Sequence, residues 1–329
     1  MPAFTRRHAA LALLAWGARG ALAQPAATPG WPVRPLRIIV GFPPGSSPDL
    51  TARTFADPLA QALGQPVIVE NKTGAAGNIG ASAVAKAQGG HTIGLFINGN
   101  LTIALLLNPQ LPYDPAKDLA PLSLVGAAPL VLAAPVGQSG VPSDGDARAF
   151  LAAARQAGAR WSYGTPGVGT VGHLGMELLK ARTGIAPVHV PYPGYPQVIT
   201  AMLGGELQMA LLPPALALAQ QGKLRLIGLT SARRSPLAPG VPSLAEAGVQ
   251  DMQLEMWNAF AAPASMPEPV RARLAALTGQ IAHGPGVRAA LLQQGWQAIG
   301  SSPEELARRI QADTLTLGEI IRLRHIQAQ

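Results

Sequence analysis

Short apolar runs alternate with amphipathic segments along most of the chain. The runs at residues 36–40, 66–70 and 92–97 are rich in valine and isoleucine and are bounded by glycine or proline, a pattern typical of buried strands. Each run is followed by a polar, glycine-bearing loop and then by a segment with helical periodicity. Strands that alternate with helices at this spacing predict right-handed strand–helix–strand units in a parallel sheet.

The middle of the chain repeats this plan. Apolar runs at residues 161–163, 188–190, 207–212 and 224–230 are separated by glycine- or proline-rich loops and helical segments. A long apolar strand over residues 122–132 is expected to cross between two lobes, and the chain is expected to return near residue 231. The sequence therefore predicts an α/β fold with one lobe from residues 24–126 and 232–329 and a second lobe from residues 127–231.

Helix boundaries can also be read from the sequence. Ser47, Pro48 and Asp49 form a start signal in which Ser47 caps the helix, and Ser143 is expected to cap a helix over residues 143–156. Near the C-terminus, helices are expected to begin at about Glu268, Gly286 and Pro303 and to pack on the first lobe. In parallel α/β sheets ligands lie outside the carboxyl ends of the strands, which is where the loops of this chain fall.

The N-terminus has the pattern of a secretory signal. Arg6 and Arg7 precede an apolar run at residues 9–16, and the small residues Ala21 and Ala23 follow at the spacing of a cleavage site. This pattern predicts a signal peptide over residues 1–23, cleaved after Ala23, and a periplasmic location. It leaves open whether export uses the general secretory or the twin-arginine route.

Composition narrows the class of protein. The chain is 48% hydrophobic and 13% charged, which favours a sizeable core over disorder. Its net charge of +8 is spread along the sequence without a basic patch or a set of stacking aromatics, so nucleic-acid binding is not expected. The absence of cysteine excludes disulfides and thiol nucleophiles.

Motifs of nucleotide-binding proteins and hydrolases have weak support. Residues 167–172 match G-x-G-x-x-G, but no acidic residue follows a second strand where a dinucleotide fold needs one. Ser46, Ser47, Asp49 and His173 could suggest a hydrolase, yet neither serine lies in a G-x-S-x-G elbow. The histidines lack metal-ligand spacing, so no metal, cofactor or catalytic residue is predicted.

Several longer motifs resemble one family. They include P-x-R-x-I-V-G-F-P-P-G near residue 40, L-G-Q-P-V-I-V-E-N-K-T-G-A-A-G-N near residue 70, and L-P-Y-D-P near residue 113. V-P-Y-P-G-Y-P, L-L-P-P-A-L and G-K-L-R-L-I-G-L-T-S-A-R-R follow in the second half. In this order they resemble the Bug (Bordetella uptake gene) solute-binding proteins of tripartite tricarboxylate transporters.

The resemblance implies a periplasmic-binding-protein fold of the type II-like, Venus flytrap kind, with a mostly parallel sheet flanked by helices in each lobe. Such a protein closes on a small carboxylate, which interface loops hold through backbone amides, hydroxyls and water. The ligand-binding residues implied are Phe42, Pro44, Gly45, Ser46, Ser47, Asp49, Ala76, Gly77, Asn78, Asn98, Asn100, Thr165, Gly167, Gly169, Thr170, Tyr192, Gly194 and Pro213. For Asp49 the residues alone leave two roles open, a partner of the helix dipole or a contact to a ligand ammonium.

The function expected is therefore that of a monomeric, non-enzymatic binding protein that delivers a carboxylate to the membrane permease subunits of a tripartite tricarboxylate transporter. Two alternatives stay open at this point. The chain could be a ligand-responsive partner of a sensor kinase, or an exported enzyme that acts on a small acid.

Overall fold

Two β-sheets flanked by helices form the fold of the computed structural model, which describes residues 30–138, 140–142 and 146–326. The signal peptide expected at residues 1–23 and the expected cap Ser143 lie outside the described residues. The strands are β1 (Leu36–Val40), β2 (Val67–Asn71), β3 (Thr92–Ile97), β4 (Leu119–Pro129), β5 (Val131–Pro135), β6 (Ser162–Thr165), β7 (Val188–Pro191), β8 (Met209–Leu212), β9 (Leu224–Leu229), β10 (Glu255–Pro263) and β11 (Gln297–Ala298).

The helices alternate with the strands over most of the chain, as the apolar pattern predicts. They are α1 (Ser47–Leu63), α2 (Asn78–Ala85), α3 (Asn98–Thr102), α4 (Ala104–Leu107), α5 (Pro115–Asp118), α6 (Ala147–Ala157), α7 (Val171–Thr183), α8 (Tyr195–Leu203), α9 (Pro214–Leu218), α10 (Glu268–His283), α11 (Pro285–Gln293) and α12 (Pro303–Leu323). Short 3₁₀ turns lie at Ala75–Gly77 and Gly158–Arg160.

Both sheets are mixed, although mostly parallel sheets were expected. The first sheet has the order β11-β4-β10-β3-β1-β2, and the second has the order β7-β6-β8-β5-β9. The β1 pairs with β2 and β3 and the β6 pairs with β7 and β8 are parallel, whereas every other pair is antiparallel. The antiparallel pairs all include β4, β5 or β10. The chain passes directly from β4 in the first sheet to β5 in the second, and it returns from β9 to β10 without a helix. A strand–helix–strand crossover, which imposes parallel pairing, is missing at those points.

The chain passes between the sheets at two places that are bonded to each other. Leu130 is the single residue between β4 and β5, and its N–H donates to Thr230 Oγ1 at 2.8 Å. The N–H of Thr230 donates to Leu130 O at 2.9 Å, and the N–H of Leu254 donates to Thr230 O at 3.0 Å. The long apolar strand expected over residues 122–132 is therefore two strands, one in each sheet.

The last helix contributes to the cores of both sheets, whereas it was expected to pack on the first lobe. Leu306, near its start, lies in the core on one face of the first sheet, with Ile39 and Trp257. Leu317 and Ile320 lie in the core of the second sheet instead. A helix of 21 residues is roughly 30 Å long, so its apolar residues reach both cores.

Two helix caps also differ from the sequence interpretation. The N-cap of α1 is Ser46 rather than Ser47, and its side chain makes no capping hydrogen bond. The helix α6 begins at Ala147, where Asp146 accepts from the N–H of Ala149. The expected start of α12 is confirmed, because Ser302 and Glu305 form a complete capping box.

A close backbone approach joins the loops that follow β1 and β2. A Cβ on Gly41 would collide with the backbone of Gly77, and a Cβ on Gly80 would lie 2.7 Å from the Gly41 Cα. Both contacts exclude any side chain, so glycine is required for these two loops to lie side by side.

We expect Gly41→Ala to lower the free energy of unfolding by about 2 kcal/mol, because the added methyl group overpacks the contact between the loops. Urea denaturation followed by circular dichroism measures the change. Gly240→Ala is the matched control, since a Cβ there meets nothing within 4 Å. Equal midpoints for the two variants would contradict this account of the loop contact.

Candidate ligand-binding cleft

A cleft of about 640 Å³ lies between the two sheets. Its walls come from the loops after β1, β2, β3 and β6, from the start of α8, and from β10. The lining residues are Ser47, Pro48, Ala75, Ala76, Asn78, Ile97, Asn98, Gly99, Asn100, Ile103, Ala104, Leu107, Asn108, Pro166, Val168, Gly169, Thr170, Val171, Tyr195, Met256, Trp257, Asn258 and Trp296.

The structure brings part of the sequence-predicted site together in this cleft. The predicted residues that line it are Ser47, Ala76, Asn78, Asn98, Asn100, Gly169 and Thr170. The predicted residues that do not line it are Phe42, Pro44, Gly45, Ser46, Asp49, Gly77, Thr165, Gly167, Tyr192, Gly194 and Pro213. Several residues of the second group hold the loops that the first group belongs to.

The first loop is held by the buried carboxylate of Asp49. Its Oδ2 accepts from the N–H of Gly45 at 2.8 Å and from Arg53 Nε at 3.0 Å. Its Oδ1 accepts from Asn71 Nδ2 at 2.8 Å, and the same amide donates to Phe42 O at 2.9 Å. Burial raises the pKa of Asp49, but the hydrogen bonds from Arg53, Asn71 and Gly45 outweigh it, so the net pKa is lowered. Because all these partners belong to the protein, Asp49 fixes the loop, and Ser47 rather than Asp49 lines the cleft.

The second and third loops are joined by a network of side-chain amides. Asn100 Nδ2 donates to Ala76 O at 3.0 Å and to Asn78 Oδ1 at 2.9 Å. The Tyr113 hydroxyl donates to the same Asn78 oxygen at 2.8 Å. Ala75 and Ala76 adopt φ of 48° and 52°, a strained conformation for residues with a Cβ. The network holds this backbone in place.

The loop from the second sheet is fixed by hydroxyl groups and by a histidine. Thr170 is the N-cap of α7 and donates its hydroxyl to Gly167 O at 2.8 Å. Thr165, buried behind the loop, contacts the same carbonyl at 3.2 Å. The N–H of Gly169 donates to His173 Nδ1 at 3.1 Å. A Cβ on Gly169 would lie 2.8 Å from Leu107 of α4, so this loop meets the first-sheet side of the cleft.

Beneath this loop lies a stack of aromatic rings. The rings of His173 and His189 are parallel at 4.1 Å, and Tyr163 stacks on the other face of His189 at 4.9 Å. His189 Nε2 lies 2.7 Å from Thr165 Oγ1, and the Tyr163 hydroxyl donates to Glu177 Oε1 at 2.6 Å. Desolvation and the neighbouring His173 lower the pKa of His189 to about 4. Desolvation also lowers the pKa of His173, so the stack is neutral at pH 7.

One wall of the cleft consists of residues that were not predicted from the sequence. Met256, Trp257 and Asn258 on β10 line it, as does Trp296, whose Nε1 donates to Ser47 Oγ at 2.9 Å. β10 lies in the middle of the first sheet, and an apolar central strand gives no sequence signal for a binding residue. Tyr195 also lines the cleft. Its hydroxyl packs so closely on Gly172 that a Cβ added to this glycine would lie 3.0 Å from it.

The electrostatics of the cleft depend on neutral groups. Among the lining residues of the described part of the chain there is no acidic or basic side chain. The first turns of α1 and α7 open at Ser47 and Val171, and first-turn amides have no acceptor within their own helix. Such amides, together with the positive end of the helix dipole, favour an anion.

Other kinds of site have no support in the described residues. Within residues 30–138, 140–142 and 146–326, acidic and histidine side chains form no group that could hold a metal ion. Over the same residues no helix has both the length and the apolar character needed to cross a bilayer.

Two α/β units with a ligand-sized cleft between them define the class of periplasmic solute-binding proteins. The model of the tripartite tricarboxylate transporter family receptor matches residues 51–326, and the chain belongs to this family. Its similarity to the Bug proteins, expected from the motifs, is confirmed. Protein BugT of Bordetella pertussis is 36% identical over 250 residues, which cover 75% of this chain and 76% of BugT.

Two solved structures of similar fold carry carboxylates. MatC of Rhodopseudomonas palustris with bound malate is 28% identical, with a TM-score of 0.72 and coverage of 88% of this chain and 100% of MatC. Rpa4515 of R. palustris with adipate is 27% identical, with a TM-score of 0.73 and coverage of 90% and 99%. The expected α/β two-sheet architecture of a periplasmic binding protein is thereby confirmed.

We expect Asp49→Asn to lower the free energy of unfolding by about 2 kcal/mol, because hydrogen bonds to a carboxylate are stronger than those to an amide. The amide of Gly45 should also exchange its hydrogen faster, since its acceptor is weakened. Asp57→Asn, an exposed carboxylate on the same helix, is the control. An equal loss in both variants would contradict the role of Asp49 as the loop anchor.

We expect stability to fall as the pH drops from about 6.5 towards 4, because His189 has a pKa of about 4 in the folded protein and an ordinary value near 6.5 when unfolded. In that window the unfolded chain binds more protons, so the stabilisation is complete above the window and is lost below it. Urea midpoints at pH 7, 6 and 5 measure the slope.

His189→Gln should reduce this slope, since glutamine does not titrate, and His173, whose pKa is also lowered by burial, should retain a smaller part of it. His283→Gln makes the same substitution at an exposed histidine outside the stack and is the matched control. The interpretation is wrong if both variants keep the slope of the native protein.

Proposed function

We propose that this chain is a periplasmic solute-binding protein that captures a small carboxylate in the cleft and delivers it to the membrane permease of a tripartite tricarboxylate transporter. The observation that carries the proposal is the neutral cleft, in which first-turn amides and asparagine side chains face the space without a competing carboxylate. Family membership and the malate and adipate of two similar structures support the same ligand chemistry.

In this proposal the ligand carboxylate is held without a lysine or arginine. Backbone amides at Ser47 and near Thr170 supply neutral donors, as do the Ser47 hydroxyl, which only accepts within the protein, and the second hydrogen of the Asn98 amide. Several such donors together can satisfy a carboxylate. Other residues of the predicted site, among them Asp49 and Thr165, hold these loops in place around the ligand.

The proposed function requires two lobes that move relative to each other. Residues 24–126 with 232–329 form one lobe and residues 127–231 the other, and the lobes close on the ligand by a hinge at the bonded crossings. The protein acts as a monomer, is exported to the periplasm after cleavage behind Ala23, and performs no chemistry on its ligand.

A thermal-shift screen of dicarboxylates, tricarboxylates, acidic amino acids, aromatic acids and nicotinate tests the ligand class. A true ligand at a hundred times its dissociation constant should raise the free energy of unfolding by about 2.7 kcal/mol. Conversion of a bound acid would point to an exported enzyme instead. Ligand-dependent binding to a sensor ectodomain would point to a signalling partner.

We expect Ser47→Asp to weaken carboxylate binding at least tenfold, because it places a negative charge beside the ligand at the start of α1. Isothermal titration calorimetry measures the affinity. Leu50→Asp adds the same charge on the same helix at a residue that is 42% exposed and does not line the cleft, and it should bind nearly as the native protein does. Similar losses in both variants would remove the start of α1 from the site.

A further inference from the structure

Asn258 is a buried polar residue of the cleft whose hydrogen bonding is incomplete. It lies on β10, lines the cleft and is 0% exposed. Its Nδ2 donates to Thr51 Oγ1 at 3.1 Å, whereas its Oδ1 has no hydrogen-bond partner. A buried acceptor without a partner is costly for a folded protein, so this oxygen calls for an explanation.

The orientation of the Asn258 amide follows from its neighbour. The hydroxyl of Thr51 donates its only hydrogen to Ser47 O at 3.0 Å, so towards Asn258 it can only accept. Asn258 must therefore turn its NH₂ group to Thr51, which does not line the cleft. The carbonyl oxygen is therefore the end of the side chain that is left without a partner.

Building on the proposed function, we infer that Asn258 is a specificity residue that accepts a hydrogen bond from a hydroxyl group of the bound acid. A plain carboxylate cannot use this oxygen, because both groups are acceptors. A hydroxyl group on the same ligand supplies the missing donor.

An ammonium group would also donate, but the cleft offers it no counter-charge. No acidic side chain is among the lining residues described, and Asp49 behind the first loop is already bonded to Arg53. A buried cation without a partner is strongly disfavoured. The neutral hydroxyl is the donor that fits.

The rest of the ligand is expected to be apolar. The cleft walls include Ile97, Ile103, Leu107, Val168, Val171 and Met256. Burying a hydrocarbon or aromatic body against them is favourable, whereas a second carboxylate there would lose its water without gaining hydrogen-bond donors from these side chains. The ligand class is therefore a hydroxycarboxylate with an apolar body.

Matched acids that differ by one hydroxyl group test the inference by calorimetry on the native protein. Mandelate and phenylacetate form one pair, and 2-hydroxy-4-methylpentanoate and 4-methylpentanoate form another. The hydroxylated member should bind at least about tenfold more tightly, since its partner leaves the buried acceptor unpaired. Equal affinities within a pair would overturn the role of Asn258, whereas no binding by either member of any pair would count against the proposed function itself.

Variants locate the preference at this residue. Asn258→Leu should still bind the unsubstituted acids but should lose the preference for the hydroxyl group, and a preserved tenfold preference would overturn the inference.

Thr51→Val, close in shape and less disruptive, frees the amide to rotate and should reduce the preference at least threefold. Thr54→Val changes another threonine of the same helix, which does not line the cleft, and this variant should keep the full preference. An unchanged preference in Thr51→Val would contradict the assigned amide orientation.

Discussion

The buried carboxylate of Asp49 is the interaction on which the first side of the cleft depends. It is bonded to Gly45 at the tip of the loop, to Arg53 one turn along α1, and to Asn71 at the end of β2. The loop, the helix and the neighbouring strand are therefore fixed to one another. Because its carboxylate is bonded to these partners, Asp49 does not line the cleft, and the backbone amide of Ser47 at the start of α1 remains available to an anion.

On the other side of the cleft, the charged groups are likewise paired with one another within the protein. Glu177 in the second half accepts from Tyr163 and pairs with Lys180 at 2.6 Å and with Arg324 at 3.2 Å. These charges lie behind the loop that presents Thr170, and Arg324 follows the helix that packs on both sheets. The groups that face the ligand space are neutral donors and acceptors in fixed positions, which suits discrimination by hydrogen-bond pattern more than by charge.

Much of the architecture could be predicted from the sequence, and the reason is local. The apolar runs that became β1, β3 and β9 and the start signal at Ser302 are recognisable from neighbouring residues. The loops with Asn78, Asn100 and Thr170 could be assigned to the cleft because parallel strands align their carboxyl ends. The predictions that the structure corrected concern smaller details, such as the exact N-cap of a helix. Ser46 rather than Ser47 caps α1, and a difference of one residue turns Ser47 towards Trp296 and the cleft.

The sequence by itself determined the strand–loop–helix units and the family, since these depend on residues close together in the chain. Its lack of cysteine also excluded thiol chemistry. Only the tertiary structure decided that Asp49 and Tyr192 lie outside the cleft while Asn258 and Trp296 line it. It also decided that α12 joins both cores and that the sheets are mixed. These features depend on contacts such as Asn258 with Thr51, which are 207 residues apart, and local pattern carries no information about such pairs.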